Sequence, residues 1–207
     1  MIILFIGLVG AYLIGSIPTA YIFGRMLKGV DIREYGSGNV GATNVFRVVG
    51  KVPGLIALAL DIFKGFLCAT YLASFFMYFS PVVRPELYRI FAGLAAIAGH
   101  NWTIFLNFKG GKGVAASAGV VIGLIPKIFC LGFLVWGIAF SLTGFVSVAS
   151  IIASISIPIF ALVFGEATEI VIFMSLLCLL ITYKHRPNIT RLIKGEEKRI
   201  SLFKKSK

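Results

Sequence analysis

Residues 2–24 contain no charged side chain. At about 1.5 Å per helical residue, that run is long enough to cross a hydrocarbon core of roughly 30 Å. Six further apolar stretches follow, at 52–79, 87–108, 114–125, 128–142, 146–164 and 167–183. Between them the chain has too little charge to cover a water-facing surface. Charged residues are 14% of the total and hydrophobic ones 58%, with a mean hydropathy of +0.97, against about 25% and 45–50% in soluble domains. Most of the surface must therefore face lipid, where helices satisfy their own backbone groups.

The distribution of basic residues predicts the orientation. Arg25 and Lys28 follow the first run and no basic residue precedes it, so it reads as a span rather than a signal peptide, with its N-terminus outside. The fourth run, ending before Pro126, is too short to cross alone and reads as a short or half helix, or as part of a broken pair with the fifth. With seven crossings, the inner regions 25–51, 107–113, 143–145 and the tail from Lys184 hold sixteen Lys and Arg, and the outer loops hold only Arg84 and Lys127. The sequence thus predicts an all-α polytopic membrane protein of about seven transmembrane helices, one of them short, N-terminus outside and C-terminus cytoplasmic. It forms a single integral-membrane domain over 1–207, with 184–207 a basic cytoplasmic tail along the anionic inner leaflet. The net charge of +12 is accounted for by that asymmetry and by attraction to phosphate, and nucleic acid is not an expected partner. Cys68, Cys130 and Cys178 sit in apolar runs without ligand spacing and read as small, buried core residues.

Three polar stretches fall on the predicted inner face. The first includes Ser37, Asn39, Thr43, Asn44 and Arg47, interleaved with Gly36, Gly38 and Gly41. Glycine lets successive N–H groups turn toward one anion, while hydroxyl, amide and guanidinium groups add donors. A tight loop with Thr43 or Asn44 capping the next helix is the plainer alternative. The second, Lys109-Gly110-Gly111-Lys112-Gly113, has the ingredients of a phosphate loop without the Walker A pattern; a cytoplasmic turn obeying the charge rule is its alternative. The third holds His185, Arg186, Asn188 and Arg191 where the last run ends. Within the runs, Asp61 and Lys64 stand at i and i+3, a spacing that pairs them in a helix, and His100 is the other ionisable group placed toward the inner side.

Taken in order, these stretches resemble the bacterial acyl-phosphate-dependent glycerol-3-phosphate acyltransferases, the PlsY family. The likeness rests on Gly36-Ser37-Gly38-Asn39 with Gly41 to Asn44 and Arg47, on Gly99-His100 leading to Phe108 through Gly113, and on His185-Arg186, Asn188, Arg191-Leu192 and Gly195-Glu196-Glu197. It implies transfer of an acyl group from acyl phosphate to the 1-hydroxyl of glycerol 3-phosphate, at the cytoplasmic side of the bacterial inner membrane, in phospholipid synthesis. Carried over, Ser37, Arg47, Lys112, His185 and Asn188 would be catalytic. Asn39, Thr43, Asn44, Lys109, Gly110, Gly111, Gly113 and Ser147 would join them in binding phosphate and substrate, and Glu197 would hold the tail in place. Neither cofactor nor metal is implied. A transporter or binding protein for an organophosphate is the competing expectation, and a membrane assembly subunit a second one.

Overall fold

The computed structural model describes residues 1–81 and 84–200. Among them every regular element is helical. The chain divides into two compact units, Met1–Pro126 and Lys127–Lys207.

The first unit opens with α1 (Ile2–Ser16) and α2 (Thr19–Lys28). Pro18 separates them because it cannot continue the helical hydrogen-bond ladder; together they form one apolar stretch, Ile2–Lys28. A loop and the short α3 (Ala42–Val48) lead to α4 (Lys51–Leu67), which passes through a π-helical turn (Cys68–Leu72) into α5 (Ala73–Phe79). Then come α6 (Pro85–Asn101) and α7 (Val114–Leu124). The third apolar run, expected as one span over 87–108, leaves its helix at Asn101: Thr103 caps a 3-10 turn, Ile104–Leu106, and residues 102–108 run outside α6.

Small residues make the helix contacts, as lipid-embedded packing requires. On the α1–α6 seam Gly15 lies against the Ala96 backbone and Gly99 against that of Tyr12; between α4 and α7, Gly65 meets Ala116 and Gly119 meets Ile62. Around Ala11 the core is Cys68, Ala73, Tyr88, Ala92 and Ala96, whereas Phe5, Ile6, Leu55, Phe63 and Phe75 stay more than half exposed. Small inside and large outside is the arrangement of a chain solvated by lipid. Arg89, absent from the sequence reading, donates from Nε to the Ala69 carbonyl at 3.0 Å and from Nη2 to that of Gly123 at 2.6 Å. It thereby binds the π-turn and the last turn of α7 to α6.

The second unit contains α8 (Pro126–Thr143), α9 (Val146–Val163), α10 (Thr168–Lys184) and α11 (Arg186–Ile193). α9 packs on α10, with Ser154 Oγ donating to Cys178 Sγ at 3.8 Å, and Ser150 Oγ accepts from Trp136 Nε1 of α8 at 3.3 Å. α10 and α11 meet at a bend of 52°, set by Pro187 in the first turn of α11. Cys130 is exposed on α8, against the expectation that all three thiols are buried; Cys68 is buried and Cys178 half-buried. The expected tail extends beyond Ile200, and residues 201–207 lie outside the described residues.

Four helical stretches are long and apolar enough to cross a membrane, Ile2–Lys28, Lys51–Phe79, Pro126–Thr143 and Val146–Val163, and a fifth if α10 and α11 count as one bent span. The remaining two expected spans correspond to α6, which carries Glu86 and Arg89, and α7, which has only 11 residues. The protein is a multi-pass, all-helical membrane protein.

Candidate active site

In the first unit, the Gly-rich loop before α3 is built around Asn44. This buried side chain donates from Nδ2 to the Ile32 and Tyr35 carbonyls, both at 3.0 Å, and accepts from the Ser37 N–H at 2.9 Å. Gly36 turns at φ +65°, and a Cβ there would strike Asn44 Oδ1 and Val48. The N-cap of α3 is Gly41, not Thr43 or Asn44, both of which lie in its first turn. Asn44 therefore braces the loop from beneath. Ser37, Asn39, Thr43 and Arg47 are half-buried, with Arg47 in the last turn of α3.

Asp31 anchors the loop's entry. It accepts from the Arg33 backbone and from both Arg33 Nε (2.9 Å) and Nη2 (2.6 Å), and pairs with Arg25 at 3.4 Å. The hydrogen bonds from Arg33 are the chief reason its carboxyl is held down at about 2. Both guanidinium groups also lie over the Tyr21 ring, 5.4 Å from its centroid.

The second loop folds back onto the end of α6. Gly110 N–H donates to the Asn101 carbonyl at 3.2 Å and Gly111 N–H to that of His100 at 2.9 Å. These two N–H groups cap a helix C-terminus, so the expected anion nest does not include them. The glycines serve close approach instead: a Cβ on Gly110 would strike the His100 carbonyl oxygen, and one on Gly111 the His100 ring. Just before them, Asn107 (φ 52°) and Phe108 (φ 59°) are left-handed. An aromatic residue rarely adopts that backbone, and strain of this kind gathers at functional loops. Lys109 is exposed, Lys112 half-buried, and Gly113 buried against the Asn101 amide.

The two loops meet within this unit. Leu106 joins Ile32, Val40 and Val45 in one apolar cluster, and Val40, Gly110 and Gly111 line a small cavity together with Asp61, Lys64 and His100. The Asp61–Lys64 pair closes at 2.8 Å; Thr19 donates to Asp61 at 2.7 Å, Lys64 to the Ile17 carbonyl at 2.9 Å, and His100 Nδ1 stands 3.5 Å from Asp61 Oδ1. Sequence spacing predicted the pair. Thr19 and the cavity beneath the glycine loop were not legible, because only the α1–α2 break brings Thr19 there.

In the second unit, Ser147 and Asn188 converge on one carboxylate. Glu197 Oε1 accepts from Ser147 Oγ at 3.0 Å and from Asn188 Nδ2 at 2.6 Å, and Oε2 accepts from Arg191 Nε at 2.7 Å. Gly195, at φ +72°, turns the chain so that Glu197 returns to α11. Burial alone would raise the Glu197 carboxyl, but the bonds from Asn188, Arg191 and Ser147 outweigh it and lower it below the usual range. His185, at the α10–α11 bend, is buried, with Nδ1 2.8 Å from the Ile181 carbonyl. A carbonyl only accepts, so Nδ1 carries a proton.

Half-buried cations beside strained, glycine-rich loops at the ends of apolar helices define a membrane-embedded enzyme of anionic substrates. The family model described as glycerol-3-phosphate acyltransferase matches residues 5–195, and the chain belongs to that family. A glycerol-3-phosphate acyltransferase of Endomicrobium trichonymphae is 44% identical over 99% of this chain and 100% of its own length, and one of Desulforudis audaxviator is 45% identical over 98% of each. Among solved structures, the glycerol 3-phosphate form of PlsY (YgiH), an integral membrane glycerol 3-phosphate acyltransferase, is 40% identical over 96% of both chains with a TM-score of 0.86; its lysophosphatidic acid form is 39% identical with a TM-score of 0.83, covering 96% of this chain and 95% of that one.

Proposed function

We propose that this protein transfers an acyl group from an acyl phosphate to the 1-hydroxyl of glycerol 3-phosphate, releasing lysophosphatidic acid and inorganic phosphate for phospholipid synthesis. The observation that carries this reading is a relative, alike over nearly the whole chain, seen in forms named for the acceptor and for the acylated product. The hydroxyl oxygen attacks the acyl carbon, the bond from that carbon to the phosphate oxygen breaks, and the hydroxyl proton passes to a phosphate oxygen of the substrate.

The acyl phosphate already carries a good leaving group, so positioning and charge stabilisation supply most of what the reaction needs. Arg47 and Lys112 offset the charge that develops on the phosphates. Ser37, Asn39 and Thr43 offer neutral donors, and Lys109 adds to the local field. Asn44, Gly110, Gly111 and Gly113 shape the two loops. In the second unit, the family likeness assigns Ser147, His185 and Asn188 to substrate binding.

We further place the site at the cytoplasmic side of the bacterial inner membrane, with seven crossings, N-terminus outside, C-terminus inside and the basic tail on the anionic leaflet. α6 and the short α7 supply the two crossings beyond the five apolar stretches. The whole chain, 1–207, acts as one integral-membrane acyltransferase domain.

Purified protein in detergent, given glycerol 3-phosphate with acyl phosphate, acyl-CoA or acyl carrier protein in turn, should form lysophosphatidic acid from acyl phosphate alone. Turnover without a compartment excludes the transporter reading. No product from any donor would overturn the enzyme reading, and preference for acyl-CoA would overturn the donor.

A further inference from the structure

Asp61 is satisfied at one of its two carboxylate oxygens. Oδ1 accepts from Thr19 Oγ1 at 2.7 Å and from Lys64 Nζ at 2.8 Å, with His100 Nδ1 at 3.5 Å. Oδ2 is buried, in a residue only 1% exposed, and has no hydrogen-bond partner among the described residues. Ser16, fully buried in the last turn of α1, repeats the pattern. Its carbonyl accepts from Thr103 Oγ1 at 2.5 Å, while its hydroxyl has no partner among the described residues. Buried polar atoms left in this way are costly, the more so on an ionised group. Both residues line the small cavity under the second glycine loop.

We propose that this cavity is a binding site for one ordered water molecule, which donates to Asp61 Oδ2 and shares a hydrogen bond with the Ser16 hydroxyl. The size is right: a water's centre has about 10 Å³ in which to move, enough for a single molecule. The chemistry selects water over an ion. Lys64 Nζ lies against both Asp61 and the Ile17 carbonyl, so a cation at this carboxylate would meet an ammonium group. An anion would meet the carboxylate itself. A water carries no charge, gives Oδ2 the donor it needs, and suits a hydroxyl that both donates and accepts. Lys64 has three N–H groups and two partners, and it lines the same wall. It thus offers the third contact that a buried water commonly makes. Ser16 belongs to α1 and Asp61 to α4, so the water joins these helices where α1 gives way to α2. The site serves the protein's own buried carboxylate and is independent of the acyltransferase reading.

The test is a crystal structure of the full wild-type chain, at a resolution that shows ordered water. One peak should lie about 2.6–3.2 Å from both Asp61 Oδ2 and Ser16 Oγ. Crystals soaked in rubidium or bromide should show no anomalous scattering there. A dry cavity overturns the proposal, and so does an anomalous peak, which would mark a cation or an anion. Ser16→Ala gives a second readout through the sign of its effect. In a dry cavity the hydroxyl is an orphan whose removal leaves stability unchanged or raises it, whereas beside a water its removal breaks a bond. The unfolding midpoint in detergent should therefore fall by about 2–4 °C, although alanine by itself is the better helix residue. A midpoint that stays or rises overturns the proposal. The crystal structure needs no variant, so it decides the question even if Ser16→Ala fails to fold.

Discussion

At Gly111, one added carbon would meet a histidine ring, and at Gly110 it would meet a backbone oxygen. The two glycines are equivalent in the sequence but not in what surrounds them. A ring turns aside, whereas the carbonyl of a helix end does not. Gly110→Ala should therefore abolish activity or folding, while Gly111→Ala should raise KM for glycerol 3-phosphate more moderately. His100→Ala should relieve part of the Gly111→Ala defect, a non-additivity readable in a double-mutant cycle. Equal damage from the two alanines, with no relief, would contradict the packing described. His185 supplies a second test at this scale. With a substrate phosphate oxygen accepting the proton, His185→Ala should keep more than about one hundredth of kcat, since a general base typically contributes about 10²–10⁴. A fall to the uncatalysed rate would assign the proton transfer to the imidazole.

Among the elements, the loop between α2 and α3 has a stability that depends on a titrating group. Asp31 has its carboxyl held at about 2 by Arg33, below the ordinary value near 4 in an unfolded chain. Between those values the unfolded chain binds more protons, so stability rises with pH there. The contribution is complete above about pH 4 and is lost as pH falls through 2. In detergent, Tm should drop across that interval, and Asp31→Asn should lose this part of the slope while being less stable at neutral pH. The same loop shows how far sequence patterning reaches. Its glycines, hydroxyls and Arg47 marked it as a functional segment. That Asn44 supports the loop from below was not visible, because binder and brace use the same amide and only the partners distinguish them. The second loop misled in a more specific way: glycines that looked free to offer N–H groups give them to Asn101 and His100. The end of α6 needed capping, a demand that composition does not record.

For the whole molecule, hydropathy revealed the lipid-facing helices directly, since Ile, Leu and Phe line the outer surfaces. It was blind to two kinds of detail. Breaks at Pro18 and at the π-turn of Cys68–Leu72 lie inside long apolar runs, and Arg89, a charge within its run, is received by carbonyls of the π-turn and of α7. The proposed topology is checked by reporters fused at either end. A cytoplasmic reporter after the basic tail should be active and one before Ile2 should not; the reverse result would invert the orientation.

Arg89 has a consequence for how such a chain is made. A guanidinium resists transfer into a bilayer, by roughly 2.5–3.5 kcal/mol at the centre of a segment and by less in the second turn, where Arg89 stands. Here two carbonyls from neighbouring helices receive it. α6 is thus a poor guest in lipid by itself and an acceptable one beside the π-turn and α7. Insertion of α6 beside the π-turn, with α7 following closely, would spare Arg89 that cost.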